Sequence, residues 1–147
     1  MADLYPYLSF DNAKEALSYY EEVFGATDII RVPVNEEQSE MFGVPKDSLE
    51  NTTAHGGFTV LGAKLFCADS FGKSVSATNQ ISIMLELNNE DPVAVAEADA
   101  FYERISKSGK VKITMPYAEQ FWGGKMGHFE DAYGISWMLH SEPYSKL

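Results

Sequence analysis

Two amphipathic segments of this chain repeat one another. Glu15, Ala16, Tyr20 and Glu21 recur as Glu97, Ala98, Tyr102 and Glu103 at identical spacing, and each segment runs to a glycine, Gly25 or Gly109. In the first, Ala13, Ala16, Leu17, Tyr20, Val23 and Phe24 return at three- and four-residue steps, the period of one helix face. Asn12 precedes it as an N-cap with Glu15 at capping-box spacing, and Gly25 suits a left-handed C-cap. The second opens on Asp91-Pro92, a capping acid followed by proline at the first helical position.

The strands repeat as well. Residues 5–10 and 28–34 flank the first helix, and 53–61 and 63–69 make a hairpin turning at Leu61-Gly62. A polar excursion over 35–51, with Gly43 and Pro45, leaves room for a short helix. Residues 81–87 open the second half, with Ile81, Ile83, Leu85 and Leu87 on one face and Ser82, Met84 and Glu86 on the other. A strand over 110–115, an aromatic loop over 116–124 and a closing hairpin over 126–140 follow the second helix. Gly62-Ala63-Lys64-Leu65-Phe66 matches Gly134-Ile135-Ser136-Trp137-Met138. Each half therefore reads strand, helix, strand, strand, strand. A module of this size cannot cover its sheet alone, so the sequence predicts an α+β domain over 1–147, built from βαβββ modules at 1–75 and 76–147.

Composition narrows the function classes. With 45% hydrophobic and 22% charged residues, the 147-residue chain can bury a core in one domain. A formal net charge of −11 opposes binding to nucleic acid or to an anionic membrane face. No apolar run approaches a membrane span, and MADLYPYLSF lacks the basic and apolar regions of a signal peptide. One cysteine, Cys67, forms no internal disulfide and no cysteine-built zinc site, which points to the cytoplasm. Its parity beside Leu65 predicts an inert buried thiol.

Three stretches, YLSFDNAKEALSYYEEVFGA, HGGFTVLGAKLFCADS and FWGGKMGHFEDAYGISWML, resemble PhnB-like proteins. These belong to the vicinal oxygen chelate superfamily, with glyoxalase I, bleomycin-resistance proteins and extradiol dioxygenases. The resemblance implies two curved mixed sheets around a cavity, and a homodimer. Some relatives are labelled as ubiquinone-pathway methyltransferases, but no glycine-rich loop follows a strand here to cradle a methyl donor. Metal-dependent members hold a divalent ion with His, Gln or Glu from the first and last strand of each module. Carried over by resemblance, those positions fall on Tyr5, Phe66, Ser82 (or Gln80, two residues earlier) and Met138. Phenylalanine and methionine are poor ligands for a hard cation.

Alternation along the strands then marks a cavity face carrying Tyr5, Tyr7, His55, Phe66, Ser82, Met84, Glu86, His128, Glu130 and Met138. Phe121 and Trp122 read either as a lid over it or as dimer-interface anchors. The plainer alternatives stand beside these. His55 and His128 also read as ordinary strand residues, Glu86 as solvent-facing, Glu130 and Asp131 as parts of the turn that Gly134 closes, and His140 as exposed at a strand end. The sequence thus predicts a cytoplasmic, homodimeric small-molecule binder without metal or cofactor, sequestering an apolar or aromatic ligand as bleomycin-resistance relatives do. Two alternatives remain open. One is a lyase or dioxygenase with a relocated divalent metal on His55, Glu86, His128 and Glu130; the other is a protein-interaction module.

Overall fold

In the computed structural model, which describes residues 1–146, the chain forms two compact units, Met1–Ser76 and Ala77–Leu147. The first contains β1 (Tyr7–Phe10), α1 (Ala13–Phe24), β2 (Thr27–Pro33), α2 (Glu36–Phe42), β3 (Thr53–Val60) and β4 (Ala63–Asp69). Its sheet has the order β1-β4-β3-β2, with β1 parallel to β4 and the other pairs antiparallel. The second contains β5 (Ile83–Asn88), α3 (Pro92–Lys107), β6 (Lys112–Glu119), β7 (Lys125–Glu130) and β8 (Ser136–Glu142). Its order, β5-β8-β7-β6, repeats the first, again with the opening strand parallel to the closing one. The fold is α+β, two open four-stranded mixed sheets of βαβββ type.

The helix ends have the local causes their residues suggest. Asn12 Oδ1 accepts the Glu15 N–H at 3.1 Å, and Gly25 (φ 68°) closes α1 in the left-handed region. Asp91 caps α3 through the Val93 N–H at 3.0 Å. The reciprocal capping box forms elsewhere, at α2, where Asn35 and Gln38 bond each other's backbone N–H. The polar excursion thus holds α2 and a 3₁₀ segment, Lys46–Asn51.

Several strand limits differ from expectation, among them the end of β8, which runs to Glu142 instead of His140. β1 starts at Tyr7 and β5 at Ile83, so Tyr5 and Ser82 lie just outside the ladders. The largest change is β6, which runs through Pro116 to Glu119 instead of ending at Met115. β6 is an edge strand, and its register with β7 shifts between Met115 and Ala118. A proline fits such a bulged edge because no ladder donor is lost.

Each core lies between a helix and one sheet face. α1 buries the six residues its periodicity marks, and Tyr20 stacks on Phe58 at 4.6 Å between centroids, 10° between planes. In the second unit Phe101 of α3 packs against Phe129 at 6.0 Å between centroids, and Ile105, Trp137 and Leu139 are buried as well. Trp137 is 0% exposed and stacks on Phe129. Removing side chains of this size from water contributes about 1.5–3 kcal/mol each. With one face so covered, the other face of each sheet is left to carry function.

Candidate functional site

Residues paired across strands share a face, so the register reads out the open face of the first sheet. Tyr7 pairs with Phe66, Phe66 with Gly57, and Gly57 with Ile30; one row later His55 pairs with Val32. Phe66 is the hub. Tyr5 meets it edge-on at 5.3 Å, His55 stacks on it at 5.3 Å and 24°, and Tyr7 at 6.5 Å and 23°. The Tyr7 hydroxyl lies 3.1 Å from His55 Nδ1. Gly57 makes this possible, because a Cβ there would meet the Phe66 ring at 3.4 Å and the Leu65 carbonyl at 3.2 Å. The result is an aromatic platform with Tyr5 46% and Tyr7 56% exposed, continued by exposed Ile30 and Val32. Four expected residues, Tyr5, Tyr7, His55 and Phe66, come together here.

In the second sheet the matching row is Met84, Met138, His128 and Met115. The positions that the resemblance carries over from metal-using proteins can now be tested for fit. Met84 is the direct partner of Met138, as Tyr7 is of Phe66. Ser82, just before β5, bonds Ser136 at 2.8 Å. Phe66 and Met138 put a ring and a thioether at two of these four positions, leaving at most the oxygens of Tyr5 and Ser82 or Gln80, so the set does not fit a divalent ion.

The Asp-x-x-Gly turn has a structural explanation. Asp131 is buried; its Oδ1 accepts the backbone N–H of Tyr133 (2.9 Å) and Ile135 (3.0 Å), and its Oδ2 accepts the Trp137 indole N–H at 2.9 Å. Glu130, by contrast, stays half-buried in the ladder opposite Ser136 and Lys112.

One row further along β5 and β8 lies the most polar part of this face. Glu86 pairs with His140, and Asn88 with Glu142. His140 corrects an expectation, since it is buried, its side chain 8% exposed, rather than open at a strand end. Its Nδ1 is 2.5 Å from Glu86 Oε2, and the Trp122 indole N–H donates to its Nε2 at 3.4 Å. That donation requires a lone pair on Nε2, so Nδ1 carries the proton and donates it to Glu86. Gly124 leaves space for this contact: a Cβ would stand 2.8 Å from Trp122 Nε1 and 3.1 Å from His140 Nε2. Burial pushes the Glu86 carboxyl above its ordinary range, the His140 bond pulls it back, and the Glu142 carboxylate raises it further. Glu86, His140 and Glu142 each offer a ligand atom within 4.8 Å of the others.

The relocated set expected from sequence is not the one assembled in this unit. Glu86 belongs to the cluster, but His128 sits in the methionine row and Glu130 opposite Ser136; His55 is on the first sheet. Trp122, read from sequence as a lid or an interface anchor, donates to His140, and Phe121 beside it is 96% exposed. Sequence parity had His140 on this face but could not show its burial. Glu142 was missed, because only the β5–β8 register brings it near Glu86. A cleft of about 330 Å³ lies on the helix side, lined by Val95, Asp99, Tyr117 and Lys125 among others, and includes none of the expected ligand residues.

Comparison with known proteins gives the family. The sequence model described as 3-demethylubiquinone-9 3-methyltransferase matches residues 2–140. Protein YjdN of Escherichia coli K12 is 24% identical over 148 residues, 93% of each chain. The structure described as a putative 3-demethylubiquinone-9 3-methyltransferase, PhnB protein, from Bacillus cereus superposes with a TM-score of 0.63 at 23% identity, over 96% of this chain and 100% of that one. The fosfomycin resistance protein FosX of Listeria monocytogenes shares the fold at TM-score 0.61 and 15% identity, over 99% and 97% of the two chains. The family match over nearly the whole length shows the family: the chain belongs to the PhnB-like family whose model carries the 3-demethylubiquinone-9 3-methyltransferase description, and it shares its twice-repeated βαβββ fold with these solved structures.

Proposed function

We propose that this protein captures a planar aromatic small molecule on the platform of Tyr5, Tyr7, His55 and Phe66, without a metal ion in the binding step. The observation that supports the reading is the exposure of stacked rings, Tyr7 at 56% and Tyr5 at 46%, around Phe66 on an open sheet face. Aromatic rings left in water recover free energy by stacking, about 0.5–1.5 kcal/mol per ring pair beyond the area buried. The Tyr7 hydroxyl and His55 supply polar groups at the rim to orient a ligand. Metal independence is supported by Phe66, Met84 and Met138, which offer no hard donors along the paired strands. No helix among the described residues is long and apolar enough to cross a membrane. A cytoplasmic location and assembly as a homodimer complete the proposal; size-exclusion chromatography with light scattering tests the latter, and a monomer at micromolar concentration refutes it.

The binding test is titration with a naphthalene-type fluorophore, with and without a chelator. Binding that survives the chelator and weakens about tenfold in Phe66→Ala, or 1.4 kcal/mol, is the expected result. Affinity unchanged from the wild type in both Phe66→Ala and Tyr7→Ala, or loss of binding on chelation, overturns it.

A further inference from the structure

We propose that Glu86, His140 and Glu142 form a divalent-cation site at the end of β5 and β8. The proposal goes beyond ligand capture and stands on the second unit alone. The three groups lie on one face, their ligand atoms within 4.8 Å of one another. Imidazole with two carboxylates is a donor set for a first-row divalent ion such as Mn²⁺ or Zn²⁺, with positions left for water or substrate oxygen. The cluster also has an observation that His140 alone does not explain. Glu86 Oε1 is fully buried and has no hydrogen-bond partner among the described residues. A buried acceptor without a donor costs about 1–3 kcal/mol, more when charged. A second carboxylate, that of Glu142, has a ligand atom within 4.8 Å of one on Glu86. A cation meets both needs, supplying the missing partner and separating two like charges.

Loading the site requires one defined rearrangement. The His140 Nδ1 to Glu86 Oε2 separation is 2.5 Å, whereas two donors about 2.0–2.2 Å from one ion stand roughly 3 Å apart. The Glu86 side chain, 27% exposed, has room to withdraw. Bound through Nδ1, the neutral imidazole carries its proton on Nε2. Trp122 N–H then faces N–H, and the indole leaves His140. The ion is thus coupled to the 120–124 turn, which is closed by the Gln120 N–H on the Gly124 carbonyl at 2.8 Å.

The test uses the full chain stripped with chelator and dialysed against Mn²⁺ or Zn²⁺, with bound metal counted per chain. A chain of net charge −11 collects cations weakly over its surface, so stoichiometry and variants decide. The expected result is one ion per chain, at least tenfold weaker in His140→Ala and in Glu142→Gln and unchanged in Glu103→Gln, which alters an exposed acid on α3. Emission should change on loading in the wild type and stay constant in Trp122→Phe, which still binds the ion. Glu142→Gln keeps the test decisive if His140→Ala does not fold. No stoichiometric ion, uptake unchanged in Glu142→Gln, or wild-type emission indifferent to the metal each overturns the proposal. Fluorophore binding by the platform is read separately, so failure of one leaves the other standing.

Discussion

Asp131→Asn isolates what the acid of the Asp-x-x-Gly turn does. Oδ1 holds two backbone N–H groups, and Oδ2 holds the indole N–H of Trp137, which is 0% exposed. Asparagine can keep its carbonyl oxygen on the backbone pair, but its NH₂ then faces the indole donor. A hydrogen bond to a charged acceptor is lost and two donors are left opposed, a cost of about 1.5–3 kcal/mol. At roughly 2–4 °C per kcal/mol for a chain of this size, Tm falls by about 3–12 °C. Urea unfolding followed by far-ultraviolet circular dichroism measures the cost, and a cycle with Trp137→Phe assigns it. Without the indole N–H the asparagine has no opposed donor, so the coupling should exceed about 1 kcal/mol. A cost below about 0.5 kcal/mol, or the same cost in both backgrounds, would refute the assignment of this carboxylate to the Trp137 bond.

Other outcomes follow from packing and burial. Gly124→Ala places a Cβ 2.8 Å from Trp122 Nε1 and 2.9 Å from the Ser141 carbonyl. It should cost about 1–3 kcal/mol as overpacking and shift Trp122 emission to the red; an unchanged spectrum would show the indole is not held at His140. Burial pushes the Cys67 thiol up to about 11 from 9.0, with Asp69 adding to the shift. A raised pKa in the folded state gives stability that is complete below pH 9 and lost as pH rises through about 11. The denaturation midpoint should therefore fall over that window more steeply in the wild type than in Cys67→Ala. Parallel curves would mean that the thiol does not titrate as a buried group. At pH 8 a disulfide reagent should modify Cys67 only as fast as the chain opens, and immediate reaction would contradict its burial.

The repeat, the helix faces and the caps were legible in the sequence because they rest on neighbours a few residues apart. The buried stripe of α1 and its cap at Asn12 need no tertiary information. Alternation likewise placed Phe66, Met84 and Met138 away from the core, since side chains on a strand change face at every residue. What the chain could not show is register, which depends on residues tens of positions away. Only the parallel pairing of β5 with β8 sets Glu86 beside His140 and draws in Glu142. Only a bulged edge strand lets β6 pass through Pro116, where local proline preference reads as a break. His140 shows the same division. Its face follows from strand parity, but its burial under Trp122 depends on a loop 18 residues upstream that a tight glycine lets approach.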